Sequence, residues 1–373
     1  MVGVSRRERL FAIELQGVPR PSTAEGTYAL IAELPLQIEA YRLQALSAQL
    51  SADRVRRTTV IRLSGGGEEG AGEDATPIEE EQLAVQEAGP TLELAGDWTI
   101  DSFSSHVAAL ELVPTSAPYA GLVRGFRQWA LESAALDLAL RQAGRSLADV
   151  LGRPSRPLTF VNSIHLPDPP SFEPLRARLE LFPALRFKLD PTPEWDEPLI
   201  AQIAATGAVD TADLKSQYPP PYGQPADPRL YEQVVRAFPD AWIEDPAITP
   251  ETWPVLESHH GRITWDAPLH SIADIEALAT RPRAINIKPV RFGRLETLLG
   301  VYDYCAAHDI AMYGGGFGEL GVGRRQIQYL ASLFHPDTPN DVAPSGYNLP
   351  QLEPSLPTSP LMATPAATGF DWA

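Results

Sequence analysis

Five stretches decide how this chain reads: LRFKLDP (185–191), AVDTADLKSQY (208–218), AWIEDPAI (241–248), RITWDAPLH (262–270) and AINIKP (284–289). In each, a short apolar run ends on a charged side chain: Lys188, Asp213, Glu244, Asp266 and Lys288. The gaps between them, 25, 31, 22 and 22 residues, each hold one strand and one helix. A parallel barrel delivers the ends of its strands to a single mouth, so this spacing predicts that all five side chains converge.

The same alternation continues outward. Strands are predicted at 159–164, 184–189, 208–214, 241–245, 261–265, 283–288 and 310–313, with a short one near 340–343. Helices lie between them, clearest at 226–238 and 321–334, where apolar residues recur at helical spacing, with a further one at 294–308. Eight strands separated by helices favour a closed parallel barrel over an open sheet. Upstream, 121–152 reads as helix ending at Gly152, 6–17 as a strand, and 36–63 as strand-like and helix-like pieces of uncertain order. Residues 64–82 (SGGGEEGAGEDATPIEEEQ) hold seven acidic residues and no basic one, and read as a flexible acidic insertion. The Pro-rich end, 344–373, has no helical period and is expected to wrap back over the fold.

Composition narrows the function. The net charge is −18, of which the acidic segment carries seven, and this argues against a nucleic-acid backbone as partner. Cys305 is the only cysteine, which rules out an internal disulfide and a cysteine-built zinc site. No apolar run reaches the length of a membrane span, and the N-terminus lacks the apolar core of a signal peptide, so a cytoplasmic protein with no membrane partner is expected.

Three carboxylates on neighbouring strand ends, Asp213, Glu244 and Asp266, form a hard oxygen set suited to Mg²⁺, with Mn²⁺ as a substitute. The competing reading is three separate salt bridges to helix arginines. Lys288 ends an apolar strand and must emerge at the mouth or be buried. Lys188 shares a face with Arg186 and Asp190. A lysine beside a divalent ion and a second cation has a lowered pKa, which fits it for general base catalysis.

Taken in order, these motifs resemble the enolase superfamily, in particular the branch of muconate lactonizing enzymes, o-succinylbenzoate synthases and mandelate racemase. ESAALDLALRQAGRSLADVLGR (132–153) is similar to the helix that leads from cap to barrel, WIEDP and TWDAP to the fourth- and fifth-strand metal motifs, and INIKPVRFGRL to the sixth-strand lysine. GGGFGELGVG is similar to the later strand whose glutamate, here Glu319, faces the substrate. The resemblance implies an α/β fold: a (β/α)7β modified TIM barrel, here 131–345, beneath an N-terminal α+β capping domain, here 1–130, with the tail at 346–373. It further implies Mg²⁺ on Asp213, Glu244 and Asp266, with Lys288 as one base. The implied reaction is removal of the proton α to a carboxylate of a small-molecule substrate through a metal-stabilised enediolate, giving dehydration, racemisation or cycloisomerisation. By analogy the chain is a homo-oligomer.

The chain departs from the family at two places. Where the second strand usually reads Lys-x-Lys, it has Lys188-Leu189-Asp190, unless the register pairs Arg186 with Lys188. Where the third usually reads Asp-x-Asn, it has Asp213-Leu214-Lys215, so Lys188 or Lys215 is the candidate second amine, and Asp210 is a weaker metal ligand than Asp213. These departures keep open a non-catalytic, metabolite-binding relative. Residues 316–321 (GFGELG) match a dinucleotide fingerprint with Asp341 downstream, but too few residues follow to complete that fold, and Glu319 would repel a pyrophosphate. His270 opens the loop after Asp266 within reach of the mouth, with a turn or capping role as the nearer reading. Tyr218 and Tyr222 lie in a Pro-rich loop placed over the site, with surface loop residues as the competing reading.

Overall fold

The computed structural model describes residues 26–51, 54–113, 119–218 and 222–372. The strand expected at 6–17 lies outside them. In the N-terminal region β1 (Pro35–Ile38) is followed by β2 (Ala40–Ser51), β3 (Arg54–Gly65) and β4 (Glu68–Asp74), then by β5 (Gly96–Thr99). β2, β3 and β4 form an antiparallel meander, and β1 pairs antiparallel with β5. Among the described residues of 36–63, all but Glu39 lie in strands, and the helix-like piece expected there is not among them.

The acidic segment is not a flexible insertion. Gly66 and Gly67, both with positive φ, turn the chain into β4, which lies directly on the long helix Ala120–Gln142. A Cβ on Gly70 would stand 2.3 Å from the Leu138 nitrogen, and one on Gly72 2.1 Å from the Ala130 oxygen. The glycines are there because strand and helix backbones touch, and any side chain would force them apart. Asp137 of the helix accepts the Ala71 N–H at 2.9 Å, and Glu73 and Asp74 are buried.

Seven strands then alternate with helices: β6 (Asn162–Ile164), β7 (Phe187–Leu189), β8 (Val209–Asp213), β9 (Trp242–Glu244), β10 (Ile263–Thr264), β11 (Ala284–Ile287) and β12 (Ala311–Gly314). β6 to β10 are parallel neighbours in chain order, as are β11 and β12. The Asn286 N–H reaches the Trp265 carbonyl at 2.9 Å, joining β10 to β11. Residues 340–341 make the last stave, bridging Phe160 on one side and Gly315 on the other. The result is a barrel of parallel strands beneath an N-terminal cap.

Helices Pro228–Ala237, Leu295–Ala307 and Val322–Phe334 stand where the periodicity puts them. Cys305 is fully buried in the second, and burial pushes its thiol up to about 12, so it is a packing residue. The tail returns along the molecule: Leu361 bridges Leu158, and Phe370 and Trp372 are buried beside Trp129 and Tyr329. Among the described residues no helix is long and apolar enough to cross a membrane.

Candidate functional site

Strand alternation decides which side chains enter the barrel. Phe187 and Leu189 pack outward into the core between strands and helices, which turns Lys188 inward. Ile243, Ile285 and Ile287 do the same for Glu244, Asn286 and Lys288. Trp242, Ala284 and Tyr313 form a small apolar floor, and the charged groups sit above it at the strand ends.

The five charged residues converge as their spacing predicts. The Lys188 ammonium lies 2.9 Å from Asp213, in direct contact with Glu244 and 4.0 Å from Asp341. Glu244 also accepts the Asn286 amide at 3.1 Å and the Tyr313 hydroxyl at 2.6 Å. Asp213 accepts the Lys215 backbone N–H at 3.0 Å and is paired with the Lys215 ammonium, which stands 3.7 Å from Asp190. Asp266 is held by Lys288 at 2.7 Å, by Arg291 at 2.7 Å and by the Tyr218 hydroxyl at 2.9 Å. Arg291 in turn donates to Tyr218 at 2.7 Å.

Glu319 is buried at the edge of this cluster. It accepts the Phe317 N–H at 2.7 Å and pairs with Arg324 at 3.1 Å. The Phe317 ring lies 4.6 Å from the Lys288 ammonium, a cation–π contact at the mouth. Arg186 does not join the mouth: it grips Asp210 and the Gly207 carbonyl at the beginning of the strands, which places Asp210 away from the site as well.

The electrostatics reverse one expectation. Burial opposes the charge on Lys188, but Asp213, Glu244 and Asp341 outweigh it and hold the amine well above the ordinary lysine value. Lys215 is likewise raised, burial being overcome by Asp190 and Asp213. These amines are not lowered, as proximity to a second cation implied, because carboxylates outnumber cations around them. Burial pushes Glu244 up to about 7 despite Lys188, with Asp213 and Asp266 adding to the rise. Asp266 goes the other way: Arg291 and Lys288 overcome its burial and keep it well below the usual carboxylate range.

The donor set fits a hard divalent cation. Asp213, Glu244, Asp245 and Asp266 are all fully buried and offer only oxygen. Oxygens of Asp213, Glu244 and Asp245 lie within 4.8 Å of one another, while Asp266 is turned to Lys288 and Arg291. Among the described residues, Asp190, Asp213, Glu244, Asp245, Asp266 and Asp341 crowd around Lys188, Lys215, Lys288 and Arg291, and burial with the neighbouring carboxylates holds Asp245 well above the ordinary carboxylate value, as it does Glu244. A divalent ion bound there would relieve this crowding and favour the ionised carboxylates.

Between the two readings of the Pro-rich loop the structure divides the tyrosines, and it adds Arg291 and Asp245 to the site. Tyr218 is no surface residue, since its hydroxyl bonds both Asp266 and Arg291; Tyr222 is exposed as expected. Arg291 had a signal in the sequence: it lies three residues after Lys288, on the single helical turn Pro289–Phe292, which puts both on one side. Asp245 had none, because alternation sends it outward; a positive φ of 49° turns it back to accept the Asp266 and Ala267 N–H groups at 2.9 Å. His270 accompanies the cap of helix Ile272–Ala277, its N–H bonded to Asp274 at 2.9 Å, in keeping with a turn role.

The structure resembles known ones over most of its length. A dipeptide epimerase from Methylococcus capsulatus, solved with a Mg ion, superposes with a TM-score of 0.65 over 90% of this chain and 99% of that one, at 19% identity. An enolase-superfamily member from Listeria innocua gives a TM-score of 0.60 at 22% identity, covering 83% and 86%. Local sequence similarity runs to an o-succinylbenzoate synthase from Listeria innocua, 35% identical over 86 residues, and to an N-succinylamino acid racemase from Amycolatopsis sp, 35% identical over 88. Those alignments cover 22% and 23% of this chain and 23% and 24% of the relatives. Fold and local sequence similarity both run to proteins of the enolase-superfamily kind, the first over most of the chain and the second over less than a quarter of it. Residues 154–349 match the model described as the C-terminal domain of a domain of unknown function (DUF8230), and residues 29–150 the N-terminal one. The chain belongs to that DUF8230 family.

Proposed function

We propose that the chain is a cytoplasmic, Mg²⁺-dependent lyase or isomerase that removes the proton α to the carboxylate of a small molecule. The observation that carries this reading is the placement of two amines, Lys215 at the end of β8 and Lys288 at the end of β11, beside a buried cluster of carboxylates at one mouth. Asp213, Glu244 and Asp266 are the proposed ligands, with Asp245 adjoining. A divalent cation, when bound, neutralises charge on a substrate carboxylate and so acidifies its α-proton.

The amines divide the remaining work. Lys188 is 1% exposed and enclosed by Asp213 and Glu244, so its place is in the charge balance beneath the substrate. Lys215 is 22% exposed at its side chain and held protonated by Asp190 and Asp213, which suits a proton donor. Lys288, under Phe317 and against Asp266, is the proposed base. With both amines in use the product is a racemised or epimerised acid; with one, loss of a β-substituent gives dehydration. The names of the relatives, a synthase, a racemase and an epimerase, accord with this chemistry. Glu319 is assigned to orienting the substrate.

A second reading, a metabolite-binding relative without turnover, has its own observation: Lys188 and Arg291 already occupy oxygens of all three proposed ligands. Incubation of N-succinyl amino acids, dipeptides and acid sugars in deuterated water with Mg²⁺ separates the two. The enzyme reading expects α-deuteration of at least one compound, lost in Lys288→Met. No α-deuteration of any compound, with thermal stabilisation by one of them, would establish the binding reading instead.

A further inference from the structure

Two buried side chains of the cap, Arg56 on β3 and Glu73 on β4, reach across to the barrel loop that carries Glu319. Their partners there are almost all backbone. Arg56 donates from Nε to the Gly318 carbonyl at 3.1 Å and from Nη2 to the Phe317 carbonyl at 2.8 Å, while Nη1 holds its own side of the interface at Thr76 (2.9 Å). Glu73 accepts N–H groups from Leu320 at 2.7 Å, Gly321 at 3.0 Å and Gly323 at 2.8 Å. One side chain takes the carbonyls before Glu319 and the other takes the amides after it.

The loop is shaped for these two side chains. Gly318 has a φ of +73°, and a Cβ there would stand 3.3 Å from Arg56 Nε; a Cβ on Gly323 would stand 2.9 Å from the Glu73 side chain. The glycines that look like a dinucleotide fingerprint instead open the backbone to the cap's carboxylate, which fills the amide cradle a phosphate would need. Leu46, Val60 and Ala71 of the cap pack with Val322 beside the contact, excluding water from it. Within the loop the Phe317 N–H fixes Glu319, and the Phe317 ring covers Lys288.

We infer that Arg56 and Glu73 are positioning residues: the cap sets the placement of Glu319 and Phe317 over the mouth by gripping the backbone of residues 317–323. This rests on the proposed reaction for its catalytic consequence, but the grip itself is a property of the chain alone. Buried, charge-assisted bonds to backbone are worth more than neutral ones, so their loss loosens the loop locally. Neither residue touches the reacting groups.

The test uses the full chain with Mg²⁺ and two near-isosteric variants, Glu73→Gln and Arg56→Lys, so that neither leaves a cavity. Backbone amide deuteration by mass spectrometry is read at 317–323 and, as reference, along helix 120–142; α-proton exchange is read on the best substrate found for the unaltered chain. The expected result is amide exchange about tenfold faster at 317–323 and unchanged in the reference helix, with kcat/KM for α-exchange reduced about tenfold or more. Unchanged protection of 317–323, or acceleration equal in loop and helix, overturns the grip. A loosened loop with undiminished turnover overturns the positioning role. If the unaltered chain exchanges no α-proton at all, the proposed reaction is contradicted, and the amide data still decide separately whether the grip exists.

Discussion

Lys188 sits where an internal cation and a bound metal compete for the same oxygens. Its ammonium bridges Asp213 and Glu244 with almost no solvent contact. Removing it in Lys188→Met leaves two buried carboxylates short of a counter-charge, a loss of about 3–5 kcal/mol for a broken buried pair. Added Mg²⁺ is expected to raise the melting temperature of this variant by more than that of the unaltered chain, as calorimetry would show; equal shifts would mean that the ion does not bind at Asp213 and Glu244. Lys215→Met should keep the fold and lower α-proton exchange by about 10²–10⁴, the range for loss of a proton-transfer group. Asp190 and Lys215 occupy positions where the family resemblance led one to expect a lysine and an asparagine, and the 3.7 Å between them shows how an amine offered by the neighbouring strand reaches the same region.

At the scale of elements, β4 and the helix it lies on carry the cap. Gly72→Ala places a methyl 2.1 Å from the Ala130 oxygen, so strand and helix must separate, and the expected cost is about 1–3 kcal/mol or more in denaturant unfolding. This element was not legible in the sequence. Gly and Glu in alternation give the composition of a solvated loop, and only the opposing helix reveals that the glycines serve close approach. The strands β7 to β11 were legible because each combines a short apolar run with a charged end at a regular interval. The same helix gives a pH dependence. Glu132 is buried, accepting from Ser104, Gln128 and the Leu295 N–H, and burial raises its pKa above the ordinary 4.5. A raised carboxyl contributes stability that is full below its ordinary value and lost as pH rises through the raised one. The part of the melting temperature that Glu132 supplies is therefore expected to fall as pH rises from 4.5 through its raised value, and Glu132→Gln to remove that part; an identical pH profile for the variant would contradict it.

At the scale of the whole molecule, the barrel and the convergence at its mouth follow from spacing, because parallel strands must present their ends together. What spacing could not give is the set of contacts made by loops and by the cap. Tyr218 reaches Asp266 from a Pro-rich loop, Asp245 enters through a positive φ, and Arg56 and Glu73 arrive from more than 240 residues away in the chain. The first two depend on the conformation of barrel loops and the last two on how cap and barrel meet, and no local pattern encodes either. The central claim is that the buried carboxylates hold a divalent ion between the two amines. The most direct measurement is anomalous scattering from crystals soaked in Mn²⁺. The expected result is a single peak at the mouth bonded to Asp213, Glu244 and Asp266, with Lys188 and Arg291 moved off the coordinating oxygens. A mouth without a peak, in which Lys188 still bridges Asp213 and Glu244 and Arg291 still grips Asp266, would contradict the claim.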